Sequence, residues 1–365
     1  VAAAPAQVVD DPRDLARLPA LQCWPGDAGR FLTFPLVLTS DPRTGRRNVG
    51  VYRMQILGPD RTAMHWQIEK GGAFHAAASG DGALPVAVAI GLDPASLIAA
   101  VAPLPEGMDE LAFAGFLRGK PTAMAACRTI PTEAPAEAEF IFEGEVMLNE
   151  TVPEGPFGDH FGHYSHPAPF PVFRIRRMTR RRRPVYLGIV VGKPPQEDRP
   201  LGDAVQAMLL PLLRLVRPEV RDLWAHYEAG YHSLAVASVV ERHHKEAMKT
   251  ALGLLGQGQM SLTKCLILVG EGVNPRDIRA VLRAIRDHWA AGETLILPGV
   301  PSDTLDFTAM TLNIGSKMVI DATPGVERVG GGLAPASGRP EGRPYNRGMI
   351  EQIVDDFEVR VRVMR

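Results

Sequence analysis

The sequence predicts a two-domain chain of mixed α/β (α+β) class, a β-rich N-terminal part followed by an α/β C-terminal part. Three observations carry this reading. At 365 residues the chain exceeds what one hydrophobic core usually supports, and its 45% hydrophobic content is ample for two. Short apolar runs punctuated by Gly, Pro and Asp dominate as far as residue 191. After Lys193-Pro194-Pro195 the pattern changes to a long apolar-periodic segment followed by alternating strand-like and helix-like stretches.

In chain order, residues 31–38 read as a strand closed by the turn Asp41-Pro42-Arg43-Thr44-Gly45. Residues 48–57 and 62–69 read as two strands of a hairpin around Gly58-Pro59-Asp60, carrying Asn48, Arg53 and His65. Residues 85–90 form a short buried-strand run. Residues 93–101 read as a helix, with Asp93 placed to cap it and Pro94 at its first position, and residues 106–117 read as another. Strands are expected at 140–146 and 173–178, with the β pattern continuing through 184–191. In the second part, helices are expected at 201–216, 244–255 and 275–288, and strands at 231–240, 264–269 and 294–297. From Thr323 onward Gly, Pro and Arg are frequent, which suggests a tail, with one more regular element at 350–363.

The net charge of −1 offers no general attraction to nucleic acid or an anionic membrane, and no stretch approaches the roughly 20 apolar residues of a span. The basic run 176–183 reads as a solvated edge or partner contact, with phosphate binding as the lesser alternative. Cys23, Cys127 and Cys265 are too few and too scattered for a disulfide framework or a zinc cluster, so a reducing cytoplasm is the expected compartment. The glycine clusters at 253–258 and 330–332 match neither the dinucleotide nor the Walker pattern, and no nucleophile elbow occurs. Acid–base chemistry assisted by a metal or cofactor is what remains.

Residues 149–173 are the place to look for it. Glu150, Glu154 and Asp159 stand among five prolines and three glycines, with His160 and His163 close behind, in a stretch that reads as too irregular for a helix or regular strand. A stiff loop of this kind can hold two carboxylates at a fixed separation; a solvated acidic connector is the other reading. Arg53, in an apolar alternation, suits either a structural ion pair or a bidentate grip on a substrate carboxylate. Two acids near such an Arg can have their pKa values pushed apart. Asn48, His65 and Glu110 together offer mixed oxygen and nitrogen ligands suited to Mn²⁺ or Mg²⁺, although singly each reads as a packing or surface residue. Lys264 either meets a phosphate or simply ends a strand.

With these residues in hand, the chain resembles the UbiD family of prenylated-flavin-dependent decarboxylases. The resemblance runs through DPRTGRRNVGVYRMQILGP at 41–59, MHWQ at 64–67, PVAVAIGLDPA, APLPEGMDELAFAGFLRG, PEGPFGDHFGHYS at 153–165, VGKPPQED at 191–198 and LNIGSKMVIDAT at 312–323. It implies a split-barrel-like, flavin-binding β-rich domain over residues 1–200, a C-terminal α/β domain over 201–325 that closes the cleft and builds oligomers, and a tail at 326–365.

The activity implied is reversible nonoxidative decarboxylation of an aromatic or heteroaromatic carboxylic acid, with CO₂ as co-product. The implied cofactors are prenylated FMN, obtained from a flavin prenyltransferase, with Mn²⁺ (or Mg²⁺) and K⁺ at its phosphate. The family's catalytic residues fall on Arg53, Glu154 and Asp159, and its metal ligands on Asn48, His65 and Glu110. Asn48, His65, Gln67 and Lys264 fall at or near the cofactor. Arg53 is expected to orient the substrate carboxylate while paired with Glu154, and Asp159 or Glu154 to deliver the proton. Asp159 stands where a Glu occurs in the branch acting on acrylic acids, and the shorter side chain is similar to the branch acting on aromatic acids. Homo-oligomers, dimers or hexamers, are expected. The family's α/β stretch ahead of residue 31 is almost wholly missing from this sequence, which keeps a second expectation open: a noncatalytic or assembly subunit of a larger carboxylase complex.

Overall fold

The computed structural model describes residues 4–66, 71–80, 82–105, 107–193, 196–309, 311 and 313–325. The chain divides into two compact units, residues 1–207 and 208–365. The expected tail at 326–365, the element expected at 350–363, and Gln67 lie outside the described residues.

The first unit is built on a curled antiparallel sheet that forms a half-barrel. Its strands are β1 (Val9–Asp11), β2 (Phe31–Leu32), β3 (Leu36–Ser40), β4 (Arg47–Val51), β5 (Met54–Gly58), β6 (Arg61–Met64), and, after helix α1 (Gly71–Ala78), β7 (Ala83–Ile90). Helices α2 (Pro94–Val101) and α3 (Glu110–Arg118) follow, then a two-stranded ribbon of β8 (Met124–Ala126) and β9 (Glu133–Pro135), and the long strands β10 (Phe140–Glu154) and β11 (Ala168–Arg180). The sheet order is β2-β5-β6-β11-β10-β7-β3-β4, with β1 paired to β11.

Period-two alternation decides which side chains face which way. Val86, Val88, Ile90, Phe140 and Phe142 join one core with Phe173 and Met178. Their neighbours Ala87, Ala89 and Ile141 join a second core, where Leu97 of α2 and Leu111 of α3 cover the sheet. α2 starts as its sequence requires, since the Asp93 carboxylate accepts from Ala95 N and Ser96 N. Asp109 caps α3 in the same way, and Gly119, at φ +73°, ends it in the left-handed conformation that Gly adopts without strain.

Several expected boundaries move, and each shift has a local cause. The strand expected at 48–57 is two strands: β4 pairs with β3, β5 pairs with β2 and β6, and Tyr52 and Arg53 occupy the gap where the chain changes partners. The hairpin is therefore β5/β6, which excludes Asn48 and places His65 one residue beyond its end. The stretch 149–173 is also more regular than expected. β10 runs to Glu154 and β11 begins at Ala168, with Pro153 opposite Pro169 beyond a register shift, so the irregular loop is only 155–167. Residues 184–191 form no strand. Their backbone is satisfied by side chains instead: Thr33 Oγ1 accepts from Ile189 N, and Trp24 Nε1 donates to Val191 O.

After α4 (Asp198–Val216), the second unit has a five-stranded sheet of β12 (Val220–Ala225), β13 (Leu234–Val239), β14 (Cys265–Gly270), β15 (Thr294–Pro301) and β16 (Ile314–Ala322), in the order β12-β13-β14-β16-β15. β13, β14 and β16 are parallel, and both edge strands are antiparallel. α5 (Glu246–Leu255) covers one face through Ala247, Ala251 and Leu254, and α6 (Ile278–His288) the other through Val281 and Ala284. β12 and β16 go beyond the elements expected for this part.

Gly144 is the position on which the curl of β10 against β11 depends. The register shifts there, and a Cβ would lie 2.1 Å from Arg174 O. Gly144→Ala is expected to destabilise the first unit by about 1–3 kcal/mol, as overpacking does. Urea unfolding followed by near-ultraviolet circular dichroism measures this, and an unchanged midpoint would show that the ladder opens there without cost.

Candidate active site

The site gathers where the β4–β5 gap, the end of β6 and the end of β10 meet. Arg53 lies in the gap, His65 follows β6 with its backbone N–H on Arg53 O at 3.2 Å, and Glu154 is the last residue of β10. The Arg53 guanidinium grips the Glu154 carboxylate with two parallel bonds, Nε to Oε1 at 2.7 Å and Nη2 to Oε2 at 2.9 Å. His65 Nδ1 lies 2.9 Å from the same Oε2. Phe157 supports the cation from below, its ring centroid 4.6 Å from Arg53 Cζ, and Phe170 packs on the His65 ring at 4.2 Å. Gln55, buried in β5, donates to Ala28 O and accepts Gly155 N at 2.9 Å, which fixes the residue after Glu154.

Glu154 has no exposed surface. Burial by itself would raise its pKa, but the hydrogen bonds from His65 and Arg53, with the guanidinium charge, outweigh burial and bring it down to about 2. Burial holds His65 below its ordinary value against the opposing pull of Glu154. A neutral ring beside an ionised carboxylate must carry its hydrogen on Nδ1, which leaves the Nε2 lone pair facing away from Glu154.

Asp159 sits in the 155–167 loop and is 3% exposed. Its Oδ1 accepts from Phe161 N at 2.8 Å and His163 N at 3.1 Å, so the turn that follows it locks the side chain. Its Oδ2 is buried with no hydrogen-bond partner among the described residues. That is the kind of group which a ligand or a transferable proton completes.

The candidate metal ligands are partly assembled. Glu110, in the first turn of α3, accepts from Val49 N at 3.1 Å, which brings it beside Asn48, and Asn48 Nδ2 donates to Tyr52 O–H at 3.4 Å. Burial pushes Glu110 up to about 7, a cost that a bound cation removes. An amide oxygen, a half-buried carboxyl and an imidazole Nε2 are a donor set that fits a divalent cation. No described contact joins His65 to the other two, and no group of three His, Cys, Asp or Glu with metal-ligand geometry occurs among the described residues. Nearby, the Trp66 indole N–H is buried without a partner among the described residues, and a Cβ on Gly72 would lie 2.8 Å from it.

The other singled-out residues have local roles. Lys264 is in the second unit, where its ammonium is held by Asp306 at 2.7 Å and by Thr308. Glu150 pairs with Arg174 at 2.5 Å, and His160 Nδ1 lies 3.7 Å from Asp198 Oδ2. The basic run is matched by acids on adjacent strands, Arg176 with Glu145 and Arg177 with Asp10. Sequence reasoning missed Gln55, Phe157, Ser165 and Phe170. Only Gln55 left a signal, as a lone amide inside an apolar strand.

Comparison with known proteins gives this geometry a setting. The profile of the UbiD 3-octaprenyl-4-hydroxybenzoate carboxy-lyase Rift-related domain matches residues 1–194, and that of the carboxy-lyase C-terminal domain matches residues 200–322. An uncharacterized protein of Archaeoglobus fulgidus is 47% identical over 313 residues, 85% of this chain and 65% of that protein. The chain thus spans just under two thirds of that relative's length. Among solved structures, vanillic acid decarboxylase from Sedimentibacter hydroxybenzoicus in its closed form superposes with a TM-score of 0.85 at 25% identity, over 98% of this chain and 77% of that one. An evolved dimeric form of the UbiD-class enzyme HmfF from Pelotomaculum thermopropionicum, in complex with prenylated FMN, does so with a TM-score of 0.73 at 29% identity, over 89% and 74%. With both of the family's domains matched, one on each unit, the chain belongs to the UbiD family.

Proposed function

We propose that this chain is a nonoxidative carboxy-lyase that acts on an aromatic or heteroaromatic carboxylic acid with prenylated FMN as its cofactor. The observation that carries the reading is the buried Arg53–Glu154–His65 network. It fixes a guanidinium by one edge, leaves Nη1 without a partner among the described residues, and lies at the root of the loop that holds Asp159. Family membership supports it, as does the likeness to a vanillic acid decarboxylase and to an enzyme that binds prenylated FMN.

When bound, prenylated FMN supplies an electron sink for the pair left behind as CO₂ departs. The protein's part is binding, orientation and proton delivery. Arg53 holds the substrate carboxylate through Nη1, and Glu154 keeps the guanidinium from turning. With its pKa near 2, Glu154 stays ionised at neutral pH and is the anchor of the pair rather than the proton store. Asp159 delivers the proton that replaces CO₂, from the oxygen its own turn leaves unused. In the reverse direction the same carboxylate takes that proton back.

Asn48, Glu110 and the Nε2 of His65 would hold Mn²⁺ or Mg²⁺ at the cofactor phosphate, with K⁺ adding to the charge there. Lys264 takes no part in this reading, because Asp306 already meets its charge. A flavin prenyltransferase is the source of the cofactor, and we place the chain in a homo-oligomer. No helix among the described residues is long and apolar enough to cross a membrane.

Coexpression with a flavin prenyltransferase, an absorbance spectrum, and CO₂ release from a panel of aromatic acids test the proposal. Protein that never takes up flavin under these conditions would overturn it. Glu154→Gln is expected to reduce turnover at least about 100-fold, the scale of a lost general acid–base or orienting group, with flavin content unchanged. His65→Ala, or dialysis against a chelator, is expected to strip the flavin. A His65→Ala protein that retains its full flavin absorbance would remove His65 from the cofactor-holding set.

A further inference from the structure

We propose that the Ser165 hydroxyl is part of the substrate carboxylate site, completing with Arg53 a composite fork for the two oxygens. The inference rests on the decarboxylase reading above and adds a specificity residue to it. It follows from counting hydrogens. A guanidinium has five N–H groups. In Arg53, the Nε hydrogen goes to Glu154 Oε1 at 2.7 Å, and the two Nη2 hydrogens go to Glu154 Oε2 at 2.9 Å and to Ser165 Oγ at 3.2 Å.

A carboxylate meeting the outer edge of an arginine ordinarily takes one hydrogen from each terminal nitrogen. Here the Nη2 share of that edge already belongs to Ser165. Only the Nη1 hydrogens are unspent among the described residues, and alone they offer a carboxylate one anchoring nitrogen rather than two.

Ser165 supplies the missing donor. A hydroxyl has two lone pairs and one hydrogen. The Ser165 Oγ accepts from Arg53 Nη2 at 3.2 Å and from Phe157 N at 3.2 Å, so both lone pairs are used. Its hydrogen points away from both donors, and no described residue accepts it. Acceptance from a cation polarises the O–H and strengthens it as a donor. Ser165 is only partly buried, so this hydrogen opens on solvent or ligand. The pair therefore presents Nη1–H and Oγ–H to two oxygens of one carboxylate, and a decarboxylated product offers nothing to either.

The experiment compares the acid with its product. Protein loaded by coexpression with a flavin prenyltransferase is assayed on an aromatic acid that the wild type turns over, with the decarboxylated product as competitive inhibitor. Ser165→Ala is expected to raise KM for the acid about tenfold, as loss of a hydrogen bond to a charged group does. The product's inhibition constant and the flavin content are expected to stay at their wild-type values, and Ser165→Thr, which keeps the donor, to restore KM. A Ser165→Ala protein with wild-type KM for the acid overturns the inference and leaves the decarboxylase reading standing. Equal losses for acid and product overturn it too, since they mark Ser165 as a support of the loop alone. A wild type that releases CO₂ from no acid of the panel sinks the underlying reading, and this inference with it.

Discussion

The Arg53–Glu154 ion pair is the constraint to which the first unit's architecture answers. A carboxylate without exposed surface costs several kcal/mol unless its charge is matched and its lone pairs are filled. Both conditions hold here, through two guanidinium bonds and one imidazole bond. To meet them the chain must open a gap between β4 and β5 for Arg53, end β6 just before His65, and carry β10 far enough to deliver Glu154 to the same point. Hydrophobic residues of similar volume could fill such a position with no loss of stability, as replacement of buried ion pairs elsewhere shows. A buried pair that leaves Nη1 unspent among the described residues is not required by packing alone.

That pair also sets the state of its neighbours. Because Glu154 is held ionised, the neutral His65 ring must present Nδ1–H to it, and its Nε2 lone pair is then turned away from the carboxylate. In the proposed reading, one protonation state thus links the Arg53 side of the site to the side where Asn48 and Glu110 lie. The link is chemical rather than positional, since no described contact spans it.

Much of this was legible in the sequence, and the parts that were not share a physical reason. The Asp93-Pro94 cap, the buried run of β7 and the helices α5 and α6 follow from local rules, in which a residue's effect lies within a turn of itself, whereas α3, expected from residue 106, starts at Glu110 behind an Asp109 cap that the sequence reading does not include. The break at Tyr52 and Arg53 does not, because an apolar alternation persists through it and only the change of pairing partner ends the strand. Pro153, Pro169 and Pro171 mislead in the opposite direction. They read as loop residues, yet the β10–β11 ladder accommodates them past its register shift. In α1, Gly71 and Gly72 hide a helix start, and in β12 Arg221 and Asp222 hide an edge strand. The candidate triad of Arg53, Glu154 and Asp159 was accessible from residue type and motif. Ser165 was not, since it is 112 residues from Arg53, and although it ends the 153–165 motif nothing in its residue type assigns it a partner.

The two acids show most clearly what spacing alone leaves open. Glu154 and Asp159 are five residues apart, and from sequence either could handle the proton. The structure separates them by what fills their oxygens. Both oxygens of Glu154 are taken by strong donors, two of them cationic, so giving it a proton would leave buried donors unpaired. Asp159 has one oxygen tied to its own turn by two backbone N–H groups and the other without a partner among the described residues. Its carboxylate is therefore held in one orientation by the turn while Oδ2 stays open to a further partner. The difference between the two carboxylates therefore comes from the backbone of the 155–167 loop. A shorter Asp suits it, because its carboxylate reaches those N–H groups within its own turn.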